Sequence, residues 1–234
     1  MKSINTLVAI LFISLLSSPS WSVTFDDLVE RDGLYYEKFT DVPYTGGVTG
    51  SEQGSFKGGK KDGSWLWYWS TGQLAKKGSY KNGKWDGAWV TYYQSGKLWS
   101  KGNYKNDMNE GAWAYYYDNG QLDFKGNYEN GKKEGAWVMY HLSGQLMSKG
   151  NWKNNKREGV WFNYFDNGTL DRKGSFTNGI NEGTWAYYHR NGQLTYKGNW
   201  KNGKQDGAWA SYNEDGTVDK QRTGTFKDDV KISD

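Results

Sequence analysis

The sequence predicts an all-β protein: an elongated, single-layer antiparallel β-meander built from 24-residue β-hairpin repeats, following a cleaved signal peptide. Three observations carry this. Trp65, Trp89, Trp113, Trp137, Trp161, Trp185 and Trp209 recur at an unbroken interval of 24 residues. Each interval holds two short runs of alternating ring and polar residues separated by Asn-Gly-type turns, which is hairpin chemistry. Aromatic residues make up 18% of the chain and glycines number 32 of 234, so apolar mass sits on Trp and Tyr rather than on aliphatics. A chain of that kind is poorly suited to a two-layer core and too rich in rings to be disordered.

The first 22 residues stand apart. Lys2 supplies a positive start, Leu7 to Leu16 form an apolar run of ten, and Ser20-Trp21-Ser22 places small residues where a signal peptidase reads them. Cleavage is expected after Ser22, giving a secreted or periplasmic protein. The run is short of the roughly 20 residues a membrane span needs. No transmembrane segment is therefore expected after signal removal. With no Cys after the run or anywhere else, disulfides, lipoprotein anchoring and thiolate chemistry are excluded.

Other columns keep step with the Trp. A glycine lies two residues before each and a Tyr three residues after. Leu74, Leu98, Leu122, Leu146 and Leu170 follow, then a Lys-Gly column ending at Gly78, Gly102, Gly126, Gly150, Gly174 and Gly198. An aromatic sits two residues beyond each of those glycines: Tyr80, Tyr104, Tyr128, Trp152, Phe176 and Trp200. Repeat arrays need irregular end units as caps. The expected organisation is a signal peptide over 1–22, an N-terminal cap over 23–53, the hairpin array over 54–226 and a C-terminal tail over 227–234.

In the third unit the first strand is read as Ala112 to Tyr117 and the second as Gln121 to Tyr128. Asn119-Gly120 is expected as a two-residue turn with φ > 0 at both positions. That register sets Trp113 opposite Gly126, Tyr115 opposite Phe124 and Tyr117 opposite Leu122. It assigns the glycine column a purpose, since the indole of Trp113 can lie flat over a strand glycine. The link Glu129-Asn130-Gly131-Lys132 is expected to have the same turn chemistry. A lone hairpin is marginal in water, so stability must come from neighbouring units.

The pattern G-x-W-x-x-Y…G-x-L-x-x-K-G-x-Y-x-N-G-K-x-[DE] resembles the MORN-repeat variant, the class of bacterial repeat proteins often labelled YwqK-type antitoxins. The stretch Asp32-Gly33-Leu34-Tyr35-Tyr36…Pro43-Tyr44-Thr45-Gly46 is similar to the opening of such proteins. The resemblance implies an elongated single-layer sheet and a role in protein interaction, with membrane-lipid contact proposed for eukaryotic relatives. An export signal suits an immunity or envelope protein better than an intracellular antitoxin.

Chemistry is weighed against that frame. The formal charge of +4, falling to +3 once Lys2 leaves with the signal, is spread along the chain, so no nucleic-acid partner is expected. His141 and His189 share the column four residues after the Trp, otherwise held by Trp69, Tyr93, Tyr117 and Phe165. They lie two units, roughly 19 Å, apart and cannot share a metal. The carboxylates before each repeat glycine (Asp62, Asp86, Glu110, Glu134, Glu158, Glu182 and Asp206) recur once per unit, whereas an active site is needed once. They are read as turn chemistry and partners for nearby Lys. The protein is expected to be no enzyme and to need no cofactor or metal. The expected function is a protein-interaction scaffold. The alternatives are a cell-envelope module binding glycan, choline or a lipid headgroup, and an antitoxin or immunity protein. Binding candidates are the ring-face positions that vary between units: Trp67, Trp69, Tyr93, Tyr115, Tyr117, Met139, His141, Phe165, Tyr187 and His189.

Overall fold

The computed structural model describes residues 22–234; the signal-peptide reading, apart from Ser22, lies outside them. A single 3-10 turn at Phe25–Asp27 leads into a two-stranded hairpin, β1 (Leu28–Arg31) and β2 (Leu34–Glu37). The main sheet then runs in chain order through β3 (Gly46–Val48), β4 (Glu52–Lys57), β5 (Lys60–Tyr68), β6 (Leu74–Lys81), β7 (Lys84–Trp85), β8 (Gly87–Tyr92), β9 (Leu98–Lys105), β10 (Met108–Tyr116), β11 (Leu122–Glu129) and β12 (Lys132–Tyr140). It continues through β13 (Leu146–Lys153), β14 (Lys156–Tyr164), β15 (Leu170–Thr177), β16 (Ile180–Tyr188), β17 (Leu194–Lys201), β18 (Lys204–Gln205), β19 (Gly207–Ser211), β20 (Gly224–Lys227) and β21 (Val230–Ser233). Pairing is antiparallel between successive strands, with β7–β8 and β18–β19 each an interrupted version of one long strand. Among the described residues the ladder of β3 is with β4 and that of β21 is with β20, so the sheet stays open rather than closing into a barrel. Residues expected as a C-terminal tail form β21, because Lys227 pairs with Val230 across a tight turn.

Two kinds of turn alternate along the meander. At Asn130-Gly131 both residues have positive φ, 50° and 77°, and Glu129 pairs directly with Lys132. This is the two-residue turn that Asn-Gly favours. At Asn119-Gly120 positive φ is confined to Gly120, at 90°. There Gly120 N–H donates to the Tyr117 carbonyl at 2.8 Å and Tyr117 N–H to the Gln121 carbonyl at 2.8 Å, which makes a three-residue loop. Asn119 Oδ1 accepts from Gln121 N–H at 2.9 Å, so the Asn side chain builds an Asx turn instead of entering the left-handed region. The longer loop shifts the register. Trp113 faces Gly126 and Tyr115 faces Phe124 as expected, but Leu122 pairs with Tyr116 rather than Tyr117, leaving Asp123 as a bulge.

The glycine column also serves a different ring from the one expected. A Cβ at Gly126 would collide with the indole of Trp137, the Trp of the following unit, not with its register partner Trp113. Trp113 lies instead over Gly102. The cause is the irregular β11–β12 ladder: Lys125 pairs with Val138 and Asn127 with Glu134, so Gly126 faces a looser stretch ending at Trp137. Trp137 Nε1 donates to the Asn127 carbonyl at 3.2 Å. Each Trp therefore binds backwards onto the preceding unit. All seven are buried, and they line one face of the sheet as its core. The N-terminal segment closes that core at one end, with Phe25, Tyr35, Tyr44 and Phe56 packed about Trp65.

Candidate functional site

Units are numbered here by their Trp, from unit 1 (Trp65) to unit 7 (Trp209). Strand alternation puts three columns from the first strand of each unit on the buried-ring face. The middle column is the Trp row. On one side lie residues two after each Trp, which include Trp67, Tyr115, Met139 and Tyr187. On the other side lie residues four before each Trp: Lys61, Trp85, Asn109, Lys133, Arg157, Asn181 and Gln205. Each of the last group pairs with the ring residue of the unit before, as Asn109 does with Tyr104 and Lys133 with Tyr128. Sequence reasoning missed this column because the first strand was read as starting at Ala112, whereas it starts at Met108 and takes in Asn109. The signal was present, since four residues along a strand returns a side chain to the same face.

The predicted binding residues divide into two groups. Trp67, Tyr115, Met139 and Tyr187 belong to the ring face. Tyr115 stacks on Phe124 at 4.3 Å and Tyr187 on Tyr196 at 4.1 Å. Trp67 is buried, stacks near Trp89 at 5.3 Å, and donates its Nε1–H to Glu52 at 2.9 Å. Met139 sits beside Phe124 in the β11–β12 ladder. The other six candidates line the edge of three-residue turns, and four of them stitch units together. Tyr93 Oη donates to the Tyr116 carbonyl at 2.7 Å and Tyr117 Oη to the Tyr140 carbonyl at 2.8 Å. His141 Nε2 reaches the Tyr164 carbonyl at 3.0 Å and His189 Nε2 the Tyr212 carbonyl at 3.1 Å. A carbonyl accepts only, so Nε2 carries the proton in both. The histidines thus do a tyrosine's work. Phe165 carries the Arg190 guanidinium 5.2 Å from its ring centre, and Trp69 remains exposed.

The carboxylate column is likewise structural. Glu110, Glu134, Glu158 and Glu182 each accept the backbone N–H of the turn Asn twenty residues on, at 2.9 Å. Asp62 does the same for Asn82 at 3.2 Å. Among the described residues no group of three or more His, Asp or Glu could hold a metal ion, and no helix is long and apolar enough to cross a membrane.

The model of the MORN repeat variant matches residues 61–82, 85–106, 109–130, 133–154, 157–178 and 181–202, together more than half of the chain. The chain belongs to the MORN-repeat-variant family. Each matched segment begins at or next to the missed column, and the unit of Trp209 lies beyond the last match. No curated protein matches this MORN chain. Among solved structures it is similar to one described as the crystal structure of the GtfA/B complex bound to UDP and GlcNAc. Identity is 12%, over 64% of this chain and 28% of that one, with a TM-score of 0.19. A likeness that distant bears on neither fold nor chemistry.

What remains is electrostatic. In the MORN array several internal cations lie among the rings. Lys61 Nζ sits 4.3 Å from the centre of Trp65, 4.7 Å from Phe25, 5.4 Å from Tyr80 and 5.6 Å from Trp67. Burial lowers its pKa, while Glu52, 3.3 Å away, pulls it back up. Lys133 bridges Trp137 and Trp152 at 4.6 and 4.7 Å, and Arg157 lies 4.6 Å from Trp161. Both have their pKa values lowered, first by burial and then by a neighbouring cation, Arg157 for Lys133 and Arg172 for Arg157. Ring faces carry partial negative charge, which is why these cations are held there. The opposite face is different: a shallow groove of about 580 Å³ over Ala88, Val90, Ala112, Ala114, Ala136 and Val138, flanked by Lys101 and Lys125.

Proposed function

We propose that this protein is an exported, non-enzymatic scaffold that binds a protein partner along its ring-bearing face. The observation that carries the reading is the division of labour on that face. The Trp row is the same in every unit, while the columns on either side of it change from unit to unit: Trp67, Thr91, Tyr115, Met139, Asn163, Tyr187 and Ser211 on one side, Lys61 to Gln205 on the other. A constant frame with variable neighbours is what selective recognition by a repeat array requires. Export rests on the Lys2, Leu7–Leu16 and Ser22 signal pattern. The non-enzymatic reading is supported by a chemistry inventory that the stitching bonds largely account for: both histidines and six of the seven column carboxylates, all but Asp86, are engaged in bonds between strands.

The test is affinity capture from a cell-envelope extract with residues 23–234 as bait and mass spectrometry of what is retained. The expected result is a defined protein that is lost with Tyr115→Ala or Tyr187→Ala and kept with Ala112→Ser on the opposite face. A captured toxic effector would make the scaffold an immunity protein, in line with the antitoxin resemblance. Retention on peptidoglycan, glucan or liposomes with no protein captured would replace this reading with the glycan or headgroup one. Turnover abolished by one substitution would end it.

A further inference from the structure

The face turned away from the rings carries lysines in a single line. Strand pairing sets Val90, Lys101, Ala114, Lys125, Val138 and Lys149 side by side, each against the next. The row lies opposite the rings because each of these lysines precedes a glycine that a Trp overlies, and successive strand residues alternate faces. A lysine therefore recurs at every second strand, about 9.6 Å from the last. Lys101 and Lys125 are exposed and form no ion pair among the described residues. The groove of about 580 Å³ runs along this row, and Lys101 and Lys125 are the charged residues that line it, so its charge is positive throughout. Glu110 and Glu134 stay outside the lining, tied at the turn edge to the N–H groups of Asn130 and Asn154 at 2.9 Å. The lining stops short of unit 5, where Phe162 takes the column of Ala114 and Val138 and holds Lys149 5.3 Å from its ring centre. A second hollow of about 530 Å³ at units 6 and 7 has Lys197 and Asn199 in the same columns, but Asp234 also lines it and its charge is mixed.

Two further observations narrow the occupant. Asn103 and Asn127, two residues beyond the lysines, line the groove with exposed carboxamides at the same interval. Their strands are pinned from the ring side, since Trp113 Nε1–H donates to the Asn103 carbonyl at 3.0 Å and Trp137 Nε1–H to the Asn127 carbonyl at 3.2 Å. The second observation is the period. Three residues of polyproline II advance about 9.3 Å, which follows the lysine interval to within about 0.3 Å. Same-side residues of a β-strand recur every 6.6 Å or so and miss the next lysine by about 3 Å. An α-helix uses its backbone groups internally and is about 10–12 Å across, too thick for a shallow floor of Ala and Val. Polyproline II has no internal hydrogen bonds, so its carbonyls are open to the two carboxamides. From Val90 to Val138 the groove covers four strand spacings, about 19 Å, the length of six such residues.

We propose that this groove binds an extended acidic segment of a protein, held as polyproline II with Asp or Glu at every third residue, whose carboxylates meet Lys101 and Lys125. The site lies on the face away from the rings. It therefore adds a second contact surface to the molecule and does not depend on the ring-face reading above.

The test is fluorescence anisotropy of residues 23–234 with the labelled peptide (Pro-Pro-Glu)4. The controls are (Glu-Glu-Pro-Pro-Pro-Pro)2, of the same composition and charge, and the uncharged (Pro-Pro-Gln)4. The periodic peptide is expected to bind about 10-fold more tightly than the paired one, and the uncharged one not at all. Lys101→Gln/Lys125→Gln should weaken binding by about 10-fold, the equivalent of two exposed ion pairs. Lys173→Gln/Lys197→Gln removes the same charge from the same column outside the groove and should leave binding within about 2-fold. Ala114→Phe keeps every charge, fills the floor as Phe162 does in unit 5, and should abolish binding; if that variant melts early, the exposed lysine pair still decides. Equal affinity for the two glutamate arrangements overturns the proposal, as does equal loss from the two lysine pairs. So does no binding up to about 1 mM. If alginate oligomers or phosphatidylglycerol vesicles bind through Lys101 and Lys125 while the periodic peptide does not, the groove serves another polyanion and the peptide assignment falls. The ring-face reading fails separately: Tyr115→Ala should lose the partner of that face and bind the periodic peptide as the wild-type chain does.

Discussion

The two faces of this sheet are made from the same strands and differ in almost every physical respect. One carries the seven buried Trp rings, their aromatic neighbours and the cations seated among them. The other carries small side chains, a row of lysines and a shallow groove. A single-layer sheet has no second layer to bury its apolar side against. Here each Trp replaces that layer by folding back over a glycine of the preceding unit and bonding to a carbonyl ten residues earlier. The stabilising contacts are therefore concentrated on one face, and the opposite face contributes little to them.

The largest effects should come from breaking that backward contact. Trp137→Ala removes a fully buried ring and is expected to cost about 3–5 kcal/mol. Gly126→Val should cost about 1–3 kcal/mol by overpacking. A double-mutant cycle by chemical denaturation then tells which ring the glycine serves. The penalty of Gly126→Val should largely vanish in a Trp137→Ala background and persist unchanged in Trp113→Ala, within the roughly 0.5 kcal/mol expected of independent sites. The reverse pattern would restore the register partner Trp113 as the ring above Gly126.

Alkaline pH attacks the same face collectively. Burial raises the phenol pKa of Tyr35 and Tyr187 to about 12, and raises those of Tyr80, Tyr104, Tyr115, Tyr128 and Tyr196 as well. A folded pKa above the unfolded value of about 10 means the native state holds protons the unfolded chain has released, so stability falls as pH rises from about 10 to about 12. Lys61, Lys76 and Lys133 act in the opposite sense, because their lowered pKa values favour the fold as pH climbs toward about 10.5. They are outnumbered. Melting temperature should drop steeply above about pH 10, tracked by the tyrosinate absorbance; a flat profile to pH 12 would contradict the burial of these phenols.

The edges of the ribbon show how much of this was legible beforehand. The 24-residue period, the strand pairs and the pairing of Trp113 with Gly126 follow from residue spacing alone. The turns do not, because Asn-Gly occurs at both edges in different geometries. At Asn130-Gly131 both residues take positive φ, while at Asn119 the side chain caps Gln121 N–H and its Nδ2–H donates to the Leu142 carbonyl at 3.0 Å. Each geometry goes with bonds to a strand outside its own hairpin, Asn130 N–H to Glu110 behind it and Asn119 Nδ2–H to Leu142 ahead of it. Side-chain placement divides in the same way. That Tyr115 and Tyr187 lie on the ring face was legible by alternation, but that His141 and Tyr117 are stitches became apparent only with the next unit's carbonyls in place. The distinction can be sharpened. Asn130→Val forces a β-branched residue into left-handed backbone and should cost about 1–2 kcal/mol. Asn119→Val keeps an allowed φ and loses only exposed hydrogen bonds, about 0.5–1 kcal/mol. Equal costs would mean that the two edges share one turn after all.

The smallest effect is the one that completes the contrast between faces. Ala112 is exposed, pairs with Asn127 on the lysine-bearing side and contacts the groove rather than a ring. In Ala112→Ser the added hydroxyl meets solvent, so stability should move by less than about 0.5 kcal/mol. Captured partner should be unaffected. A larger loss, above about 1 kcal/mol, would mean the hydroxyl is being desolvated, since an exposed site has no such penalty to impose. The groove would then be covered in solution, and a drop in sedimentation coefficient on the same substitution would identify the cover as a second copy of the chain. Stability holding steady instead leaves the ring face as the side that carries the packing.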